Sequence, residues 1–347
     1  MEYLSEYGLF LAKAVTIVIA IVAVAGSIIA AAMRHRKDEP GIRLTLLNRQ
    51  YDQMETAVKA AALGPGGQKQ MLKAEKKKDK QKAKEEKKAA KSSQDKSRPR
   101  LFVLDFDGDI RASATEAMRN EISAILTDAR EEDEVILRLE SAGGLVHGYG
   151  LAASQLQRLR DRNIPLTVAV DKVAASGGYM MACVANRIIA APFSIVGSIG
   201  VLAQIPNLHR FLKKHDVDFE QLYAGEYKRT LTVFGENTDK GREKMQRDLE
   251  ETHEHFKAFI AERRPGLDLE AVATGEHWLG TRALELGLVD ELRTSDDYLM
   301  ATRGERDLIK VEFSRRKSLS ERISDMFTRF GHGRDQRNRD LKTPLLM

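Results

Sequence analysis

The sequence predicts an α/β domain with largely parallel strand pairing, carried behind a membrane span and a charged stalk. Three observations predict it. From residue 101 onward, short β-branched apolar runs alternate with amphipathic stretches of roughly 10–15 residues, the pattern of strand–helix units. Residues 14–33, "AVTIVIAIVAVAGSIIAAAM", pass without a charge. Residues 69–100 carry 14 Lys and Arg against 5 Asp and Glu. That is a net of +9 within a whole-chain total of +5, so the remainder carries −4. The basic balance therefore belongs to one segment, and a nucleic-acid-binding fold is not expected from it.

Residues 1–13 form a short N-terminal segment ahead of the span. At helical rise the twenty residues 14–33 cover about 30 Å, the thickness of a hydrocarbon core. A cleaved signal peptide has a shorter apolar region preceded by positive charge, whereas Glu2 and Glu6 precede this one. A permanent single-pass anchor in contact with membrane lipid is expected. "RHRK" follows the span directly, which by the positive-inside rule puts the rest of the chain in the cytoplasm. Residues 34–100 read as a Lys-rich stalk or linker, with a helical pattern over 38–63 and a break at "GPGG". The run 69–91 has almost no apolar residue and is expected as a solvated helix or disordered tether, with lipid head-group contact as the alternative.

The folded domain is expected over 101–295. "LFVLDFDGDI" at 101–110 alternates and reads as the opening strand. Residues 114–130 place Met118, Ile122, Ile125 and Leu126 at helical spacing. "EVILRLES" at 134–141 is a second strand, 149–163 an amphipathic helix, and "LTVAV" after Pro165 a third strand. "GGYMMACVAN" suits a short buried helix, and "RIIAAP" a further strand. The region 204–265 reads as mainly helical, and 278–292 as a helix, a glycine break and a short apolar finish. Residues 296–347 are a C-terminal extension ending in a basic tail. The one cysteine, Cys183 in "MMACVA", excludes an internal disulfide and a cysteine metal cluster and reads as a small buried hydrophobe.

The chemistry gathers in three glycine turns, "ESAGGLVHGYG", "AASGGYMMA" and "VGSIGV", each joined to a strand-like run. Gly-Gly after a strand lets backbone N–H groups face a ligand. A serine at the start of a buried helix, such as Ser176, lies near the positive end of its dipole, with free N–H groups placed to receive an oxyanion. Its base would be a histidine or a desolvated lysine. Of eight histidines, His35 and His332 fall outside the domain, and His209, His215, His253 and His255 read as surface residues. His147 and His277 remain near candidate turns, without a defensible spacing. "AGEYKRTLTVFGENT" offers Lys228, flanked by Tyr227 and an apolar run; most lysines are exposed, and the residues alone do not select it.

In this order, "ESAGG", "VAASGGYMMA", "GSIGV", "GEYKR" and "A…GLVDE" resemble the signal peptide peptidase A family of Ser-Lys proteases, family S49. The resemblance covers about 101–295 by motif. The single catalytic unit, N-terminal span and Lys-rich stalk are similar to one branch of that family throughout. It implies the ClpP/crotonase-type fold of β-β-α units, with Ser176 as nucleophile and Lys228, 52 residues on, as general base. It further implies that Ser198 orients the lysine and that the N–H groups of Gly144 and Gly177 form the oxyanion hole. No metal or cofactor is implied. The expected partners are hydrophobic or unfolded peptides, signal-peptide remnants among them, and further copies of the chain in a homo-oligomer. The expected location is the bacterial inner membrane with the catalytic domain in the periplasm, which conflicts with the charges after the span. Two alternatives stand: an acyl-CoA hydratase or isomerase on the same fold, and a non-catalytic membrane scaffold that binds peptides.

Overall fold

In the computed structural model, residues 7–21, 41–63, 67, 77 and 98–314 are described. They divide into two units. Residues 7–21, which are helical, belong to one, together with Gly41 and Ser314; Ile42–Phe313 form the other. Among the described residues no helix is long and apolar enough to cross a membrane. Of the expected span 14–33 only 14–21 are described, and 22–33 lie outside the described residues. So do nearly all of the 69–91 run and the basic tail beyond 314.

The larger unit is built on one ten-stranded sheet. Its elements begin with β1 (Gly41–Leu46) and α1 (Leu47–Ala61). Next come β2 (Arg100–Gly108), α2 (Thr115–Leu126), β3 (Glu134–Ser141) and α3 (Val146–Arg160). The sheet continues through β4 (Leu166–Val170), β5 (Val173–Ala175), the short helix α4 (Gly177–Ala182), β6 (Arg187–Ala190) and β7 (Ile195–Gly197). The rest is α5 (His209–Lys214), α6 (Asp239–Arg263), α7 (Leu269–Val272), β8 (His277–Leu279), α8 (Gly280–Glu285), β9 (Glu291–Leu292), α9 (Ser295–Thr302) and β10 (Asp307–Ser314). The main strand order is β1-β10-β2-β3-β4-β6-β9, and β3, β5, β7 and β8 form a branch from it. The expected parallel pairing holds: β7–β8 is antiparallel, while every pair from β10 through β9 on the main path and β3–β5–β7 are parallel.

Alternation on β2 sorts its side chains between two cores. Phe102, Leu104 and Phe106 join the larger cluster, with Met118, Ile122, Leu156 and Tyr179 from the helices. Leu101 and Val103 point the other way, onto Tyr298, Leu299, Leu308 and the partly buried Leu47 and Tyr51. A strand covered on both faces is apolar at successive positions, as at Val135, Ile136 and Leu137 of β3, before Arg138 and Glu140 return one face to polar residues. Each fully buried leucine or isoleucine there contributes roughly 1.5–3 kcal/mol against exposure.

The sheet extends past the expected boundaries at both ends. β10 lies beside β2, with Leu308 opposite Leu101, and β1 lies at the edge beside β10. The expected helix over 38–63 therefore begins only at Leu47, because "GIRLTL" ahead of it is strand. Asn48 fastens that join: its amide donates to the Arg303 and Arg306 carbonyls and its oxygen accepts the Leu308 N–H. The reading of 204–265 as mainly helical is corrected too, since residues 215–238 are not helical. There Asn side chains take the backbone partners a helix would supply. Asn207 donates to the Thr232 and Gly235 carbonyls, Asn237 accepts the Thr232 N–H, and Gly225 turns at φ +98°.

Candidate active site

The register of the short parallel strands brings the three glycine turns together. Ser141 at the end of β3 pairs with Ala174 of β5, and Ala175 of β5 pairs with Gly197 of β7. The turns after β3, β5 and β7 therefore leave the sheet side by side at its carboxyl end, where ligands meet open parallel sheets. Gly143 and Gly144 occupy the first, Ser176 and Gly177 the second, and Ser198 the third.

Ser176 ends a strand and begins a helix in one residue. Its backbone is at φ 52°, ψ −117°, a conformation that costs a non-glycine residue about 1–3 kcal/mol. Neighbours on both sides hold it there. Its N–H donates to the Gly197 carbonyl at 2.8 Å, and its carbonyl accepts the Met180 N–H at 3.0 Å. Ser198 has nearly the same φ, 51°, and its N–H donates to the Glu276 carbonyl at 2.6 Å. Both serines are partly exposed, and the Ser176 hydroxyl makes no hydrogen bond within the described residues.

Two N–H groups beside Ser176 are also without partners among the described residues, those of Gly144 and Gly177. Glycine is required at both. A Cβ on Gly144 would run into the Ile110 carbonyl, and one on Gly177 into the Tyr149 ring. The backbone is thus drawn in against the floor of the turn cluster. This arrangement can accept negative charge developing on an oxygen next to Ser176 Oγ.

Lys228 is placed differently. It lies in the turn that Gly225 opens, its N–H donating to the Gly225 carbonyl at 3.1 Å. It is exposed in the single chain. Among the described residues its ammonium group has no ion pair or hydrogen bond, and no contact joins it to Ser176 or Ser198. The histidines do not replace it. None of the six described histidines bonds to Ser176; His277 sits in β8 opposite Gly197, and His147 is exposed. His253, read from sequence as a surface residue, is partly buried, with Nε2 3.2 Å from the Ile199 carbonyl. Its helix turns that side toward the loop after β7, which a charged sequence conceals.

Sequence reasoning also missed Ser141 and Tyr149, which lie beneath the cluster with their oxygens 2.5 Å apart. The Trp278 ring against Gly197 was missed as well. Buried residues of these types read as ordinary core, and no spacing in the chain singles them out. Cys183 is buried as expected, and burial pushes its thiol up to about 12, so it stays protonated. Among the described residues no group of acidic, histidine and cysteine side chains could hold a metal ion.

A parallel sheet presenting a strained serine beside two unpartnered N–H groups has the form of an acyl-transferring site, and comparison with known proteins makes the class a peptidase. Residues 2–156 match the N-terminal model of peptidase family S49, and residues 158–308 match the peptidase family S49 model. The chain belongs to family S49. Within it the chain is 52% identical to a probable protease SohB of Haemophilus influenzae, over 93% of this chain and 92% of that one. It is 48% identical to a probable protease SohB of Buchnera aphidicola, over 87% of this chain and all of that one. Among solved structures, a membrane-bound stomatin-specific protease in complex with a substrate peptide aligns with 67% of this chain and 99% of its own. That alignment has 14% identity and a TM-score of 0.41.

Proposed function

We propose that the chain is a membrane-anchored serine endopeptidase that uses Ser176 and Lys228 to cleave hydrophobic or unfolded peptides. The observation that carries this is the strained Ser176 turn, with the N–H groups of Gly177, which follows it, and of Gly144, next to the Gly143 packed against it, unpartnered among the described residues. In the reaction, neutral Lys228 takes the proton from Ser176 Oγ as the oxygen attacks a peptide carbonyl. The carbonyl oxygen becomes negative and accepts from the Gly144 and Gly177 N–H groups. The C–N bond then breaks, with the lysine returning the proton to the leaving amine. Water, deprotonated by the same amine, releases the acyl group from Ser176. No step needs a metal or cofactor. Ser198, one strand over from Ser176, orients the lysine amine.

Lys228 must be covered before it can act as a base, and assembly supplies the cover. No residue between 201 and 236 is buried, yet Leu202, Phe211, Leu222 and Tyr223 lie there more than half exposed. So large an apolar surface on one segment calls for a partner. A second copy of the chain packed over it would desolvate Lys228 and bring a base to a serine. The domain arrangement follows the ClpP/crotonase type, with the 14–33 span anchoring it in the inner membrane and the catalytic domain on the periplasmic side.

The test is labelling of the detergent-purified full chain with a fluorophosphonate, beside hydrolysis of an apolar fluorogenic peptide, for wild type, Ser176→Ala and Lys228→Ala. Both variants are expected to lose at least about 10³-fold in hydrolysis. Hydrolysis at wild-type rate in either variant rejects the dyad. A reporter fused after residue 314 settles the side of the membrane.

A further inference from the structure

Tyr149 is completely buried, and its hydroxyl is bonded twice. It donates to the Asp109 carbonyl at 2.8 Å and lies 2.5 Å from Ser141 Oγ. A phenol has one proton and a carbonyl can only accept, so that proton is committed to Asp109. Ser141 must then donate its own proton to the tyrosine oxygen. The serine oxygen keeps a lone pair for the Gly143 N–H, 3.1 Å away. The relay runs in one direction, from the Gly143 N–H through Ser141 and Tyr149 to the Asp109 carbonyl. Burial raises the Tyr149 phenol above its ordinary range, which keeps it a donor.

The far end of the relay is fixed. The Asp109 carboxylate accepts the N–H groups of Arg111 and Ser113 and the Ser113 hydroxyl, closing the loop after β2. The near end holds the residue whose φ of +89° turns the chain into Gly144. Gly143 is itself pressed against Ser176, where an added Cβ would come 2.7 Å from the Ser176 Cβ. On its other side, the Tyr149 ring fills the space against Gly177. One buried side chain therefore reaches both halves of the N–H pair, the Gly143–Gly144 turn through its hydroxyl by way of Ser141, and Gly177 directly through its ring.

We propose that Tyr149 is a positioning residue that sets the separation and direction of the Gly144 and Gly177 N–H groups, with Ser141 as its link to the first of them. This rests on the reading of Ser176 as nucleophile and deepens it. The hydroxyl orients and the ring spaces; neither touches substrate.

Tyr149→Phe keeps the ring and removes the relay, and Ser141→Ala breaks the relay one step nearer the turn. Each is measured in the full chain against an apolar fluorogenic peptide, with active sites counted by fluorophosphonate. Inhibition by a peptide aldehyde, whose serine adduct places an oxyanion in the N–H pair, is compared with that by the matching alcohol, which forms no adduct. Both variants are expected to lose about 10- to 100-fold in kcat per active site with KM within about twofold. Aldehyde affinity falls by the same factor while alcohol affinity holds. The double variant is no worse than the worse single, because both cut one relay. A merely structural tyrosine would lower the melting temperature and the active fraction, leaving kcat per site and the aldehyde-to-alcohol ratio at wild type. That result in both variants overturns the proposal while Ser176→Ala remains inactive. Full hydrolysis by Ser176→Ala overturns the nucleophile and the positioning role together.

Discussion

Residues 141–199 and residues 201–236 carry the two halves of the proposed site, and they are built in opposite ways. The first segment packs its turns against buried strands, and every feature of Ser176 is fixed by a neighbour: Gly197, Met180, Gly143 and the Tyr149 ring beneath Gly177. The second, which holds Lys228, has no buried residue and presents Leu222 at 95% exposure. Strain at Ser176 persists because packing over-determines it, and nothing comparable determines Lys228. On the proposed reading, the nucleophile and its N–H donors are therefore complete within one chain, and the base is not. The proposed site, divided in this way, would be active only when its second half is supplied, which would tie catalysis to assembly.

Two glycines on neighbouring elements test the fixed half. Gly177→Ala drives a methyl group into the Tyr149 ring and displaces the donor N–H, so hydrolysis should fall about 10²-fold or more and the melting temperature should drop. Gly150→Ala, on the exposed side of α3, meets nothing within 4 Å and should leave kcat alone while adding up to about 1 kcal/mol of stability. Equal activity in the two variants would remove the case for a preorganised donor pair.

The open half should respond to charge and dilution. Leu222→Glu places a carboxylate on the most exposed apolar residue of the segment, and buries nothing that folding of the sheet needs. Sedimentation should then report a single chain, and specific activity should fall about tenfold or more at a concentration where wild type is assembled. A monomeric variant with wild-type turnover would mean that Lys228 reaches its serine inside one chain, and would end the comparison as drawn.

The same contrast explains what the sequence made legible. Strands covered on both faces announce themselves: 134–141 was read to the residue, and the turns at Gly143, Ser176 and Ser198 stood out as glycine breaks after apolar runs. Their adjacency did not, because it depends on β5 and β7 being only three residues long and pairing in parallel. The edge strand β1 and its neighbour β10 were hidden by the polar residues that interrupt them, such as Arg43 in β1 and Lys310 in β10, which pairs with Asp105 and Glu312. Residues 215–238 misled for a related reason. Their apolar residues suggest a core-facing helix, but they face solvent and are held by asparagine side chains. Tyr149 was legible as core and illegible as a relay, since Asp109 and Ser141 meet it only in the fold.

The smallest expected effect separates stability of the sheet from activity of the site. Asp133 is fully buried ahead of β3; it pairs with Arg100 at 2.6 Å and accepts the N–H groups of Arg100 and Arg130. Burial by itself would raise its carboxyl, but these hydrogen bonds outweigh it and hold the group below the ordinary carboxylate range. A carboxylate depressed in the folded state adds stability that is fully present above the unfolded value of about 4 and is lost as pH falls through the lower folded value. Asp133→Asn leaves Arg100 with only the exposed Asp128 and should cost about 3 kcal/mol near pH 7, with kcat unchanged. The gap between variant and wild type should hold from pH 8 to about 5 and shrink below about 4. Denaturant unfolding across that range checks it. A gap that stays constant to the lowest pH would assign the cost to lost packing, and a fall in kcat would show that the fixed half feels the strands' far end.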